Sequence, residues 1–594
     1  MTVWKVQGFG GMVPALDPRL LPDTAAMYAQ NCLLKPGSIG PLPEPEALHT
    51  LGVGASFAYR LPASYADASF LYGSTYMEFN DPDMMVIRAP VVDDQYDRYY
   101  FVSPQEPPKY NTRARIDASQ PAWLLGVPAP SVAPIVNSSG GVSSTLETRS
   151  YVYTWVTDYG EEGPPSPSTE HTDKIDASPW VITCALPTAD DMGVDRNLTK
   201  LRIYRTVTTA EGSAAFYLVT ELTLPTVIFN DTLSSAVVSL NPQLESTQWA
   251  GPPSDLSGWI LAPNGFIVGW RGTQFAEIWF SEPYRPHAWP AEYTLVVEYP
   301  IVGMGISNQT IVCCTEAYPV SLQGVHPHYM EVNKLVNHEP CMARGSILSG
   351  PEGVFYASPN GLVLVTPGLA ENITKGIIGK RDWNGLVKVP RLRAARLGTA
   401  YFAYGSVQIG VFQDDAFQID AFATEDVTGA LTGVVIDPTS DRVSFSMLRQ
   451  DTPVDNCYND PWSGEVILIS DGEVQWLDIV TENVTYQSYL WKSKIWQNSY
   501  ERNAAACKVY WDTAVGLSEN PVAMNPNPNE IRFYVKGGNY LQDTLILTRP
   551  LEVPGELIRL PSGGKYDYIR FEIESTYRIL SVQFATTVKE LDAA

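Results

Sequence analysis

Short runs of alternating apolar and polar residues, broken by Gly, Pro, Asn and Asp, fill most of this chain and predict β-strands separated by turns. Tyr151-Val152-Tyr153-Thr154-Trp155-Val156-Thr157 is a run of aromatic and β-branched residues, suited to a pleated, packed surface. Asp158 to Pro167 follows it and reads as a turn and exposed connection. Leu201-Arg202-Ile203-Tyr204-Arg205-Thr206 and Phe216-Tyr217-Leu218-Val219 add two strands, so residues 132–250 are expected to form a β-sandwich of fibronectin-III or immunoglobulin type. Ile531 to Val535 and Tyr568 to Ile573 alternate in the same way, with a turn at Pro561-Ser562-Gly563-Gly564-Lys565 before the second. They predict a C-terminal β module over residues 485–594. Helical periodicity is scarce. One short N-terminal helix is predicted over Thr24 to Asn31, with Asp23 as its N-cap and Lys35-Pro36-Gly37 as its stop.

A faint repeat marks the middle of the chain. Pro263-Asn264-Gly265, Pro359-Asn360-Gly361 and Ser470-Asp471-Gly472 each lie beside apolar strands, as hairpin turns do. Asn264 and Asn360 are 96 residues apart, and Asn360 and Asp471 are 111 apart. Those gaps correspond to two units of roughly 50 residues, near the length of a propeller blade. The fold class expected is therefore all-β and multidomain. Residues 1–50 form an N-terminal arm, 51–131 a β-rich platform segment, 132–250 the sandwich, 251–484 a β-propeller, and 485–594 a module completing the platform.

Composition sharpens this outline. A chain of 594 residues is too long for one core. Only 18% of residues are charged, few for a surface that must stay wet everywhere, which points to extended subunit contacts. Asp and Glu number 65 against 40 Lys and Arg, a net charge of −25. A protein that grips DNA presents a basic face, so tight DNA binding by the whole chain is not expected. The acidic balance serves solubility, or a conduit wall past which DNA slides. Seven cysteines without a CxxC pair fit buried thiols in a reducing compartment. The first residues lack a signal-like apolar core, and no apolar run approaches the roughly 18 residues that span a bilayer.

Candidate chemistry is thin. Gly8-Phe9-Gly10-Gly11 lacks the spacing, the Lys and the preceding strand of a phosphate loop. His326-Pro327-His328 can place two imidazoles on one face, yet a structural metal site wants four ligands. Cys313 and Cys314, Asp93 and Asp94, and Asp414 and Asp415 are neighbours that diverge in a strand. Ser470-Asp471-Gly472 with Trp476 is a compressed version of the Ser-x-Asp-x-Gly-x-Thr-Trp turn of propeller sialidases. It occurs once and with the wrong spacing. No catalytic, cofactor or metal residue is assigned.

One local charge feature stands out. Lys375, Lys380, Arg381, Lys388, Arg391, Arg393 and Arg396 fall within 22 residues, interrupted by Asp382 alone. The segment is a solvated face, a docking patch for an acidic neighbouring subunit, or a DNA contact, in that order of preference.

Several segments resemble the nozzle (tail tubular protein B) family of short-tailed bacteriophages. They are Gly11 to Pro22, Asn31 to Leu42, Leu125 to Pro130, and Tyr151 to Pro167. Phe280-Ser281-Glu282-Pro283-Tyr284-Arg285-Pro286-His287-Ala288-Trp289-Pro290, Tyr489 to Lys494, and Arg570 through Leu591 are also similar. The resemblance implies a non-enzymatic virion protein, assembled in the host cytoplasm as a hexameric ring at the tail end. Its partners would be the tail adaptor and tail fibres or spikes, with double-stranded DNA passing through during ejection. The alternative is a propeller-type tail protein that binds or hydrolyses glycans.

Overall fold

The structure is a computed structural model. It describes residues 3–35, 37–61, 74–188, 195–208, 214–335, 337–387, 389–405, 431–438, 443–450, 452–477, 485–497, 504–512, 529–537, 540–561 and 566–592. The fold is all-β and multidomain, with few and short helices.

Seven antiparallel sheets follow one another along the chain, numbered here in chain order. Sheet one holds Phe57–Leu61 and Thr75–Phe79. Sheet two holds Met85–Arg88, Arg98–Ser103, Glu106–Thr112 and Trp123–Leu124. Sheet three runs from Gly258–Leu261 to Leu295–Val297, sheet four from Ile301–Ser307 to Glu331–Lys334, and sheet five from Leu348–Gly350 to Leu369–Asn372. Sheet six spans Arg393–Leu397, Ala400–Tyr404, Leu431–Asp437 and Ser444–Arg449. Sheet seven has Val454–Asn459, Val466–Ser470 and Glu473–Leu477. Its fourth strand, Pro45–Thr50, comes from the start of the chain and pairs with Glu473–Leu477.

Each sheet buries apolar residues against the next. Tyr59 and Met77 of sheet one meet Tyr99 and Phe101 of sheet two, and Tyr100 and Val102 meet Trp259 and Ile267 of sheet three. The succession continues through sheets three and four, four and five, five and six, and six and seven. It closes where Ile467 and Trp476 of sheet seven pack on Ala58 of sheet one. The first strands of sheets two to seven also touch in succession, so they are innermost. Meander sheets packed in a closed cycle around their first strands make a β-propeller, here with seven sheets among the described residues.

The two chain ends build a sandwich beside this ring. Val3–Gln7, Cys32–Lys35 and Ser38–Pro41 share a sheet with Ala506–Asp512, Ile558–Arg559 and Arg578–Ala585. The facing sheet continues sheet six outward through Ala26–Gln30, Tyr489–Ser493, Tyr568–Ser575, Glu530–Gly537 and Tyr540–Pro550. The two alternating C-terminal strands read from the sequence pair with each other: Ile531 opposite Ile573, Phe533 opposite Phe571, and Val535 opposite Ile569. All six side chains are buried, each contributing roughly 1.5–3 kcal/mol of apolar transfer.

The second sandwich is inserted between sheets two and three. Its seven strands among the described residues form sheets in the order first-fourth-seventh and third-second-fifth-sixth. The sandwich architecture matches expectation, while this strand order differs from that of an immunoglobulin constant domain. The segments leading in and out touch at two glycines: a Cβ on Gly126 would lie 2.5 Å from Cα of Gly251. Arg98 of sheet two ties the sandwich down, reaching Asp94 at 2.9 Å and the buried Glu161 at 2.7 Å. Burial lifts the Glu161 carboxyl above its ordinary range even so.

Two expectations need correction. The predicted N-terminal helix is absent, because Ala26–Gln30 is a strand. It pairs with Tyr489–Ser493 and, in parallel, with Met447 of sheet six. Small alanines helped the misreading: Ala26 and Ala29 are fully buried here, where two sheets meet. The ring also reaches beyond residues 251–484. The strands of the expected arm and platform segment at 45–124 are sheet one, sheet two and the closing strand of sheet seven.

Candidate docking surface

The basic segment is the connection from sheet five to sheet six. It leaves Leu369–Asn372 through a polar knot in which Thr374 Oγ1 donates to Asn372 Oδ1 at 2.9 Å. The backbone N–H of Leu362 in turn donates to Thr374 Oγ1 at 3.1 Å. Gly361 is required beside this knot, since it sits at φ +143° and a Cβ there would meet Thr374 Oγ1 at 2.2 Å. A short helix, Lys380–Leu386, follows. Its anchor is Trp383, fully buried, whose Nε1–H donates to Ser358 O at 2.9 Å. Asn384 Nδ2 donates to Pro359 O at 2.7 Å on the same turn. With the apolar side held down in this way, the charged side faces water.

The seven cations divide accordingly. Lys375, Lys380, Arg381 and Arg391 are exposed and have no ion pair among the described residues. Lys388 lies outside the described residues. Arg393 and Arg396 belong to the innermost strand of sheet six and are internal ties, which removes them from the exposed patch. Arg396 reaches Glu352 at 3.0 Å and Gly398 O at 2.7 Å. Arg393 pairs with Asp83, at the start of sheet two. Sheets two and six are three steps apart around the ring one way and four the other, so this pair crosses the axis. Arg344 lies alongside, donating to Val302 O at 3.0 Å and Ser257 O at 2.8 Å. Burial lowers its pKa, and the nearby Asp83 and Asp81 oppose this only in part. Gly345 leaves room for the crossing: a Cβ there would sit 2.3 Å from Arg393 Cδ.

Strand direction alternates in each meander. Connections between sheets and the turns joining second to third strands therefore share one face of the ring. The exposed cations lie on that face. So does the Asp471-Gly472 turn of sheet seven, with φ of 51° and 73°, the double positive φ of a type I′ hairpin. Asp455 and Asp471 are exposed, Glu473 is half-buried, and none of the three has a cationic partner among the described residues. Burial raises the Asp455 carboxyl above its usual range, and the negative Asp471 adds to this.

The remaining candidates resolve into structure. His326 and His328 pack around Tyr293 and Tyr329. No group of three or more His, Cys, Asp or Glu placed to hold a metal occurs among the described residues. Cys313 and Cys314 point into different cores, as neighbours in a strand do. Asp94 is taken by Arg98. Asp414 and Asp415 lie outside the described residues. Trp476 of the sialidase-like turn is buried against sheet one. No described helix is long and apolar enough to cross a membrane. Asp83, Glu352, Asp455 and Asp471 were not singled out as site residues from the sequence. The double positive φ of Asp471-Gly472 was signalled by its residue types, whereas pairing across the axis leaves no local signal.

No protein-family model and no curated protein matches the chain. Among solved structures, a chain described as "Glycoside hydrolase" is matched over 75% of this chain and 96% of its own, at 11% identity and a TM-score of 0.12. A TM-score that low carries no argument about fold or activity.

Proposed function

We propose that this protein is a structural subunit of a bacteriophage tail, of the ring-forming nozzle type found in short-tailed phages. The observation that carries the reading is what the family-like segment Phe280 to Pro290 does. Trp289 is fully buried in the core between sheets two and three. Its Nε1–H donates to Pro286 O at 2.8 Å, and its backbone N–H to Ala250 O at 2.7 Å. Arg285 stacks 4.0 Å over Trp249. Burial, helped by Arg98 and Arg285, pushes the His287 imidazole down to about 3, so it stays neutral. These residues fix the inserted sandwich to the ring, a packing role of the kind a scaffold requires. The fold fits as well: a propeller with two sandwiches offers broad surfaces for copies, a tail adaptor and fibres. The acidic balance suits a wall past which DNA moves. The protein belongs, in this reading, to the virion and assembles in the host cytoplasm.

Electron microscopy of the purified protein, alone and mixed with its tail adaptor, tests this. Closed rings or an adaptor-bound tail end are expected. A monomer that ignores the adaptor and cleaves an oligosaccharide would overturn the reading in favour of a glycan-hydrolysing tail protein.

A further inference from the structure

The chain is electrically divided. Residues 375–396 hold seven basic residues and one acid, which leaves the rest of the chain with 33 basic and 64 acidic residues. The next stretch, 397–484, holds 15 carboxylates and two arginines. Most charges that meet an opposite partner in this structure are consumed internally, as in Arg98 with Asp94 and Glu161, or Arg60 with Asp460. Lys375, Lys380, Arg381 and Arg391 are not, and neither are Asp455, Asp471 and Glu473. Both sets lie on one face of the ring, the first between sheets five and six and the second on sheet seven. The helix anchored by Trp383 carries Lys380 and Arg381, a tight turn carries Asp471, and Asp455 and Glu473 sit on the strands beside it.

We propose that the Lys375, Lys380, Arg381 and Arg391 surface docks on the Asp455 and Asp471 edge of sheet seven in a second copy of this chain. A polyanion such as DNA is the weaker match, because the patch is set in a surface that repels it. Two different patches meeting head to tail make a heterologous contact, which closes into a ring when the rotation per step allows. The inference rests on the ring-forming reading above and names the contact that makes the ring. Opposite charge at the rim sets association rate and salt dependence.

The experiment is sedimentation velocity on the full chain at about 0.1 M and about 1 M salt, which shortens the screening length from roughly 10 Å to roughly 3 Å. One variant carries Lys375→Glu, Lys380→Glu and Arg381→Glu. A second carries Asp455→Asn and Asp471→Asn. Circular dichroism and thermal melts confirm that these surface changes leave the fold intact. Wild type is expected to associate at low salt and dissociate at high salt, and each variant to weaken association roughly tenfold or more. Mixing the two variants is expected to give heterodimers and nothing larger, since each keeps one working patch. Variants that assemble like wild type overturn this contact and leave the ring reading standing. Wild type that stays monomeric at low salt also overturns this contact, and the ring reading falls with it only if the protein ignores the tail adaptor as well.

Discussion

Sheets one and three serve the same ring by different physics. Sheet three has four strands and two packed faces, with Val268, Trp270, Ile278 and Phe280 buried on one side and Trp259, Ile267 and Trp289 on the other. Among the described residues sheet one has two strands, Phe57–Leu61 and Thr75–Phe79. Polar ties from its neighbours hold these two strands in place. Arg60, with only 2% of its side chain exposed, is held by Asp460 at 2.9 and 2.5 Å. Trp462 Nε1–H donates to Arg60 O at 2.9 Å, and Tyr458 O–H donates to Ala58 O. Asn456 Nδ2 donates to Ser56 O at 3.3 Å and Pro82 O at 3.4 Å, bridging into sheet two. Apolar area degrades gradually when trimmed, whereas a buried ion pair fails at once when one partner leaves.

The sharpest way to break this contrast is Asp460→Ala. It strands a buried guanidinium and removes the acceptor for Ser463, so a loss of about 3–5 kcal/mol in urea denaturation is expected. A loss near zero would mean that sheet one does not depend on its polar ties. Asn456→Ala should cost about 1–3 kcal/mol by leaving partly buried carbonyls without this donor, with faster amide exchange concentrated around residues 56–61 and 82–84. In sheet three, Ile278→Val should cost only about 0.5–1.5 kcal/mol, spread over the ring without local opening.

The mildest effect is a pH dependence. Burial opposes ionisation of Glu78, but hydrogen bonds from His49 at 2.7 Å and the Gly52 N–H at 2.8 Å outweigh it and hold the carboxyl below its ordinary 4.5. A depressed carboxyl adds stability above its unfolded pKa and loses it as pH falls through the folded value. Wild type should therefore lose stability below about pH 4.5, and Glu78→Gln should flatten that slope. Equal slopes in the two proteins would show that this tie does not help hold sheet one to the strand that closes the ring.

Much of the ring was legible in the chain because strand alternation is local. The repeat was legible in part. Asn360-Gly361 and Asp471-Gly472 lie at the same turn of sheets five and seven, two units apart as the spacing implied. Asn264-Gly265 falls one turn earlier in sheet three, where Gly265 makes room for Tyr284. The closing strand Pro45–Thr50 pairs with residues more than 400 positions away, and no local pattern encodes that choice. The Ala-rich stretch before Asn31 misled for the same reason, since tertiary pairing overrides propensity. The density of Lys and Arg at 375–396 was plain, but which arms turn toward the axis depends on Asp83 and Glu352 arriving from elsewhere.

The contact between Gly126 and Gly251 makes the inserted sandwich a cassette. Its two connections meet at one point, so the ring's path from Leu125 to Pro252 barely registers what hangs between them. Such an insert can be changed at its far end while the seven sheets keep their register, provided that Glu161 stays on Arg98. A lineage carrying this scaffold could change what it presents at that rim without rebuilding the wheel that carries it.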